Sequence, residues 1–289
     1  MDYRDKLKGY AEAVNRSLAD EVSTDNGEVS RAMRYSLLSG GKRTRASLVL
    51  AVCEMLGGDM DAALLAADAV EMLHCYSLIH DDLPCMDDDD YRRGQPSCHR
   101  QFGEATAMLA GDALLTNAFF TLSKIDDAEM SRSCARLLSE AAGFKGMILG
   151  QELDLRGVDT ENDITGQLDR INRNKTGRLI TASILMGAVC SGAGSGRTYE
   201  ALERYGDGIG LVFQIVDDVL DVTSSLEELG KNTGSDADNN KVTYCSVYGA
   251  EGAMKRAAEV TNECIRALED VENSGFLEWY AEELLNRKK

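Results

Sequence analysis

The sequence predicts an all-α protein, and three observations lead to that class. The chain is rich in Ala, Leu, Glu, Met and Arg, which are strong helix formers. Its 289 residues include only two prolines, Pro84 and Pro96, and little of the alternation that marks strands. Glycine-rich and polar loops separate helical stretches of roughly 15 to 25 residues. We therefore expect a bundle of about ten helices.

The order of these helices follows from the loops between them, because glycine and clusters of small polar residues interrupt helical periodicity. Six such loops divide the chain: Ser39–Gly41, Gly57–Asp59, Asp87–Ser97, Gly157–Asp163, Ser191–Gly196 and Gly230–Asn240. No low-complexity linker or shift in composition occurs between them. The sequence therefore predicts one domain over residues 1–289.

Charge and cysteine usage exclude several classes of protein. The formal net charge is −18, which argues against a nucleic-acid surface because phosphate backbones need a basic face. Eight cysteines occur without a CxxC pair, as expected for buried, reduced thiols. The acidic N-terminus does not resemble a signal peptide, and we expect no apolar run of membrane-spanning length. A cytoplasmic protein is predicted.

The first acidic motif, Asp81-Asp82 followed by Asp87, comes directly after an apolar helical run. Clustered carboxylates beside apolar surface repel one another unless cations neutralise them. Pro84 should end the helix, and a turn there could bring Asp87 back toward Asp81. We interpret this segment as a Mg²⁺-binding rim, and Mg²⁺ in turn implies a phosphorylated substrate. A plain acidic loop is the alternative.

The second acidic motif lies 136 residues later, within Phe213–Asp221. At about 100° per residue, Gln214, Asp217, Asp218 and Asp221 share one helical face. Apolar residues from Ile209 to Leu220 occupy the opposite side. Facing the first motif, this one would complete a metal cage, whereas alone it could be a solvated acidic face.

Basic residues supply the counterpart to these acids. Lys42, Arg43 and Arg45 follow a glycine pair, so cations and backbone amides there could cradle a diphosphate. Arg92 and Arg93 come directly after the first acidic segment. Further candidates are Lys175-Thr176, Lys231 and Lys241. Each could be an ordinary surface cation, but their combination with two aspartate motifs is specific.

Together these motifs resemble those of the trans-isoprenyl diphosphate synthases, most closely the bacterial farnesyl diphosphate synthases. The resemblance spans nearly the whole chain and also includes Gly111-Asp112, Gly150-Gln151 and Phe213-Gln214. Where the family usually has proline after Arg45, this chain has Ala46. That departure affects how the helix begins and leaves the cations in place.

The resemblance implies a role for each site residue. The ligands of Mg²⁺, three ions per site, would be Asp81, Asp82, Asp87, Asp217 and Asp221. Residues around the allylic diphosphate and the reacting carbon would be Arg92, Lys175, Thr176, Gln214, Lys231 and Lys241. Residues binding isopentenyl diphosphate would be Lys42, Arg45, His74 and Arg93. The family also implies a deep central cavity and a homodimer.

The predicted activity is head-to-tail condensation of isopentenyl diphosphate with dimethylallyl or geranyl diphosphate. Tyr76 lies five residues before Asp81, so we expect its ring, beside Ser77, to form the floor of the tail pocket and stop growth at farnesyl diphosphate. The alternatives are a geranylgeranyl diphosphate synthase, a terpene cyclase and a noncatalytic subunit of the same fold. The two retained aspartate motifs and the basic cluster near Lys42 disfavour the last two.

Overall fold

A computed structural model describes residues 2–22, 27–227 and 242–287, with the side chains of residues 224–227 left out. Lys231 and Lys241, two of the predicted diphosphate-binding residues, lie outside the described residues. The expected all-α class is confirmed, since helices account for nearly all regular structure in the described residues.

The first eight helices are α1 Tyr3–Glu21, α2 Glu28–Leu37, α3 Thr44–Met55, α4 Met60–Asp81, α5 Cys98–Phe102, α6 Glu104–Leu122, α7 Ala128–Ala142 and α8 Met147–Arg156. The remainder are α9 Ile164–Asn172, a π-helix Arg173–Gly177, α10 Arg178–Cys190, α11 Arg197–Glu227, α12 Tyr244–Ala267 and α13 Gly275–Leu285. A short antiparallel hairpin, β1 Tyr91–Arg92 and β2 Gln95–Pro96, pairs Arg92 with Gln95.

The described chain divides into two compact units. The first unit contains Met1–Arg136 and Met186–Gly194, and the second contains Leu137–Leu185 and Ser195–Lys289. The single domain expected over residues 1–289 stays a prediction. The first aspartate motif belongs to the first unit and the second motif to the second unit.

Helix α4 forms the core of the first unit, where it packs against α3 and α6. Its residues Met72 and Leu73 are fully buried, as are Leu48 of α3 and Leu114 of α6. Each such side chain contributes roughly 1.5–3 kcal/mol through removal of apolar surface from water. Asp59 begins α4 by accepting hydrogen bonds from the backbone N–H groups of residues 61 and 62. This burial fixes the helix that carries the first motif.

Two helices, α4 and α6, are long and apolar enough by composition to cross a membrane. The expectation that no apolar segment reaches that length was therefore wrong. In α4, 72% of the apolar window is buried inside the protein, which identifies a core helix. In α6 only 39% is buried, so this helix keeps an exposed apolar face.

In the second unit, α11 packs against α12, α13 and the π-helix. Tyr205 is fully buried, and its hydroxyl donates to the carbonyl of Leu277 at 2.7 Å. Gly208 faces Cys264 so closely that a Cβ on Gly208 would lie 2.2 Å from the sulfur. This close packing fixes α11, the helix that carries the second motif, within the second unit.

Candidate active site

The first aspartate motif straddles the end of a helix. Helix α4 ends at Asp81, and Pro84 lies in the turn that follows. The backbone N–H of Asp87 donates to the carbonyl of Asp81 at 2.9 Å, so the chain curls back on the helix end. The turn expected at Pro84 is confirmed. It brings the backbones of Asp81 and Asp87 together, with Asp87 exposed and Asp81 half-buried.

Asp82, the middle acid of this motif, points into the protein and pairs with Arg92. Its side chain is buried, and one carboxylate oxygen accepts from Arg92 Nε at 2.9 Å and from Arg92 Nη2. Arg92 also reaches Asp89 at 3.1 Å. Burial raises the pKa of Asp82, and the hydrogen bonds from Arg92 offset that only in part. Asp82 therefore holds Arg92 in place, and its predicted role as a metal ligand stays a prediction.

A cationic cluster occurs on the same unit. The Nη1 atom of Arg45 lies 3.4 Å from Nε2 of His74. Burial, and then the charge of Arg45, lower the pKa of His74 well below its ordinary value. The imidazole is therefore neutral near pH 7, with Nε2 as the acceptor facing Arg45. Arg93 donates from Nη1 to the carbonyl of Gly40, so it lies against the glycine pair that precedes Lys42.

Tyr76 and Ser77 occupy the turn of α4 before the motif. Tyr76 is 7% exposed, and its ring meets the ring of His80 edge-on at 5.6 Å between centroids. His80 Nε2 lies 3.1 Å from the carbonyl of Met108, and a Cβ on Gly111 would come within 2.1 Å of Nε2. Tyr76 is therefore braced against α6 through His80. Ser77 Oγ donates to the carbonyl of residue 74 at 2.8 Å.

The second motif lies inside the continuous helix α11. We expected one helical face to present four polar residues together, but Asp218 is buried and both of its oxygens accept hydrogen bonds inside the protein. One oxygen accepts from Gln214 Nε2 and the other from the backbone N–H of Tyr244, both at 2.9 Å. Asp218 thus satisfies an N–H at the start of α12. Asp217 pairs with Arg287 at 2.8 Å, and Asp221 is exposed.

Lys175 and Thr176 lie on the π-helix, a distortion that often marks functional sites. Thr176 Oγ1 donates to Gln214 Oε1 at 3.2 Å. This contact depends on a close crossing, because a Cβ on Gly210 would lie 2.5 Å from the Cα of Gly177. The structure therefore brings together the two oxygen-bearing side chains that the sequence assigns to the reacting carbon.

Sequence reasoning missed two partners in the second unit. Asp154 pairs with Lys175 Nζ at 2.6 Å, and Arg287 pairs with Asp217. Asp154 lies one helical turn after Gly150, and a Cβ on Gly150 would come within 2.1 Å of the backbone N of Lys175, so α8 and the π-helix approach closely here. The sequence carries no signal for this approach. The amide Nε2 of Gln151, in the same helix, is buried and has no hydrogen-bond partner among the described residues.

The aspartate side chains fit Mg²⁺ by their chemistry. Within the described parts of the chain, no group of three or more acidic, histidine or cysteine side chains is preassembled for a metal. Mg²⁺ is commonly held by one or two carboxylates together with substrate phosphates and water. The closeness of Asp81 and Asp87, both oxygen donors, is consistent with that mode of binding.

Several known proteins are similar to this chain over most of its length. Residues 26–282 match the Polyprenyl synthetase family. The farnesyl diphosphate synthase of Haemophilus influenzae is 40% identical over 99% of both chains. Geranylgeranyl pyrophosphate synthase 7 of Arabidopsis thaliana is 44% identical over 95% of this chain and 80% of its own. The solved apo structure of an FPP/GFPP synthase from Zymomonas mobilis has a TM-score of 0.86 and 32% identity, covering 98% of each chain.

Proposed function

Because this chain belongs to the polyprenyl synthetase family and is a prenyltransferase, we propose that it condenses isopentenyl diphosphate with dimethylallyl and then geranyl diphosphate, giving farnesyl diphosphate. The observation that carries this proposal is the Arg45–His74 contact, together with Arg93 held on the carbonyl of Gly40, because these groups have partners different from those of Arg92 and Lys175. An enzyme with two diphosphate substrates needs two sets of cations, whereas a cyclase needs one.

The reaction begins when the allylic C–O bond ionises, which accumulates negative charge on the leaving diphosphate. Arg92 and Lys175 would stabilise that charge, as would Lys231 and Lys241. In the structure Arg92 contacts Asp82 and Asp89, and Lys175 contacts Asp154. These carboxylates hold the two cations and compensate their charges before substrate binds.

Mg²⁺ would be held by carboxylates of both aspartate motifs, chiefly Asp81, Asp87, Asp217 and Asp221, with three ions per site proposed. When bound, it supplies Lewis-acid stabilisation of the departing diphosphate. Without it, the acidic rim would repel the substrate, because both are negative.

The incoming isopentenyl diphosphate would bind Lys42, Arg45, His74 and Arg93. His74 is neutral, so it adds a hydrogen-bonding group and no further charge to a site already rich in cations. Thr176 and Gln214, 3.2 Å apart, can direct oxygen dipoles at the allylic cation without trapping it. The double bond then attacks that cation, and the released diphosphate takes the proton. Water must be excluded, because it would quench the cation.

A geranylgeranyl diphosphate synthase is the second candidate, since the 44% identical Arabidopsis protein carries that name. The buried ring of Tyr76, braced by His80, favours the shorter product. A smaller or more flexible side chain at that position would leave more room for the tail.

Product sizing tests the proposal. Purified protein is incubated with isopentenyl diphosphate, each allylic starter and Mg²⁺, and the dephosphorylated products are separated by chain length. We expect mainly fifteen-carbon product and no turnover in chelator. Mainly twenty-carbon product would establish the second candidate, a cyclic hydrocarbon would establish a cyclase, and no turnover of isopentenyl diphosphate would indicate a noncatalytic subunit.

We also propose a cytoplasmic homodimer that pairs through α6. On that helix Met108, Leu109 and Phe120 are 41%, 54% and 58% exposed, which is unusual for large apolar side chains. Light scattering should give twice the chain's mass of 31.4 kDa. The double variant Met108→Glu, Leu109→Glu should shift the protein toward a monomer, and an unchanged dimer would exclude this face.

A further inference from the structure

Arg43 is the one member of the basic run Lys42–Arg45 that is buried. It is 3% exposed, whereas Lys42 is exposed and Arg45 is half-buried. Its guanidinium is engaged by three separate elements. Nε donates to Asn15 of α1 at 2.8 Å, Nη1 to Glu71 of α4 at 2.6 Å, and Nη2 to the carbonyl of Leu37 at the end of α2 at 2.6 Å. These bonds direct Arg43 inward, away from any diphosphate.

Glu71 is buried with Arg43, the exposed side-chain fractions being 1% for Arg43 and 3% for Glu71. Removing one member of such a pair leaves an uncompensated buried charge, which is strongly destabilising. Glu71 also lies one helical turn before His74, which contacts Arg45. The same face of α4 therefore anchors two neighbouring arginines of the run.

The backbone around Arg43 is held in an unfavourable conformation. Arg43 has φ 49° and ψ 30°, in the left-handed region that a non-glycine residue rarely adopts. Just before it, Gly40 and Gly41 also have positive φ, and Arg93 Nη1 donates to the carbonyl of Gly40. Such conformations persist only where surrounding contacts enforce them. The inward guanidinium of Arg43 provides those contacts.

We propose that the buried Arg43–Glu71 pair is a positioning device for isopentenyl diphosphate. It fixes the left-handed turn at residue 43, and this turn directs Lys42 and Arg45, on either side of it, toward the same diphosphate. The inference rests on the proposed function, because it assigns Lys42 and Arg45 to that substrate. Arg43 itself does not contact the substrate.

Kinetics of Arg43→Lys and Glu71→Gln test this role. Lysine cannot make the forked contacts of a guanidinium, so the turn should relax. We expect the KM for isopentenyl diphosphate to rise at least about tenfold in Arg43→Lys, because displacements near 1 Å at a positioned group have effects of this size or larger. The KM for geranyl diphosphate should stay within about twofold by the same reasoning, since its cations are held elsewhere. Glu71→Gln keeps the acceptor oxygen. It should therefore raise the KM for isopentenyl diphosphate by a smaller factor and again leave the KM for geranyl diphosphate nearly unchanged.

The matched control is Arg34→Lys. Arg34 also bridges two elements of the first unit, donating from α2 to the carbonyls of Ala19 and Val22, the latter at 3.0 Å. It lies outside the basic run, so Arg34→Lys should lower Tm without a selective change in either KM. Equal rises in both KM values for Arg43→Lys, or the same pattern in Arg34→Lys, would show that Arg43 serves stability alone.

A milder variant tests the same role if Arg43→Lys and Glu71→Gln fail to fold. Asn15→Ala removes one acceptor from Arg43 and leaves the ion pair intact, and it should raise the same KM by a smaller factor. Calorimetric titration with isopentenyl diphosphate alone gives a readout independent of turnover, and its Kd should weaken in parallel. If wild type binds and consumes isopentenyl diphosphate but these variants bind it normally, the positioning role fails and the proposed function stands. If wild type itself neither binds nor consumes it, the proposed function fails first.

Discussion

The two aspartate motifs contain the same type of residue, an aspartate pair followed by a third aspartate, but they have different local structures. The first extends past the end of α4, and its third acid, Asp87, returns through the turn at Pro84. The second stays inside α11, where Asp221 follows Asp217 by one helical turn. The geometry of the first motif depends on where α4 ends, whereas that of the second depends on α11 continuing through it.

In both motifs, however, the second aspartate of the pair is buried and hydrogen-bonded inside the protein. Asp82 is buried against Arg92, and Asp218 is buried between Gln214 and the N–H of Tyr244. The first aspartate of each pair, Asp81 or Asp217, is more exposed. In each pair of adjacent acids, therefore, the first is the more exposed and the second is held by contacts inside the protein.

The largest expected effect comes from the first acids. Asp81→Ala or Asp217→Ala should lower kcat by about 10³-fold, because each removes a carboxylate that would bind the charge-stabilising metal. Unfolding free energy should change by less than about 1 kcal/mol, since neither side chain is deeply buried. Steady-state kinetics across a Mg²⁺ titration measures the first quantity, and urea unfolding measures the second. Turnover near wild type in both variants would contradict the metal cage.

For the second aspartate of each pair, Asp82 and Asp218, we expect substitution to have a large effect on unfolding free energy. Asp218→Ala removes the acceptor of the buried N–H of Tyr244 and of the half-buried Gln214 amide. Asp82→Ala removes one of the two carboxylates that contact Arg92 and leaves Asp89. We expect losses of roughly 2–4 kcal/mol in unfolding free energy for Asp218→Ala and somewhat less for Asp82→Ala. Urea denaturation with a two-state fit measures both. Full stability in Asp218→Ala would remove the distinction between the two positions.

Asp68 of α4 sharpens the comparison, because it is a buried carboxylate without an arginine. It is 1% exposed and accepts from Ser17 Oγ. Burial raises its pKa from 3.8 to about 7, and the nearby charges of Glu21 and Glu71 add to that. The folded state therefore holds this proton more tightly than the unfolded state.

With a raised folded-state pKa, the contribution of Asp68 to stability is fully present below about pH 4 and is lost as pH rises to about 7. We expect Asp68→Asn, which removes the titration, to gain stability over wild type across that window. The gain should level off above pH 7 at about 4 kcal/mol, because a rise of about three pKa units corresponds to about 1.4 kcal/mol per unit. Unfolding free energies at pH 5, 6, 7 and 8 measure the trend. A difference that stays constant with pH would show that Asp68 keeps its ordinary pKa.

The smallest expected effect, in free energy, is on product length. Tyr76→Ala should shift the main product from fifteen to twenty carbons or longer, a tenfold change in ratio that corresponds to about 1.4 kcal/mol. Gly111→Ala should act in the same direction, because its Cβ would displace His80 and with it the ring of Tyr76.

Val212 provides the control for both variants. Val212 lies five residues before Asp217, just as Tyr76 lies five residues before Asp81. Its side chain is fully buried. Val212→Ala should cost stability and leave product length unchanged. The measurement is the chain-length distribution of the products made by the three variants under identical substrate ratios. An unaltered distribution in Tyr76→Ala would exclude Tyr76 as the floor of the tail pocket.

Much of the site could be predicted because its residues are close in sequence. Pro84 limits helix α4 through local geometry alone, so the return of Asp87 toward Asp81 was foreseeable. Helical periodicity likewise placed Gln214 near Asp218. The partners Asp154 of Lys175 and Arg287 of Asp217 were not foreseeable, because they are 21 and 70 residues away along the chain. No local rule links such distant positions.

The sequence by itself determined the all-α class, the end of α4, and the sets of acids and cations, because propensity, proline geometry and charge are local properties. Only the tertiary structure decided which of these side chains point inward. Arg43, Asp82 and Asp218 each lie within a run of similar residues, yet all three are buried and bonded internally. Burial depends on which elements pack around a residue, and a buried charge is tolerated only where distant parts of the chain supply its partners.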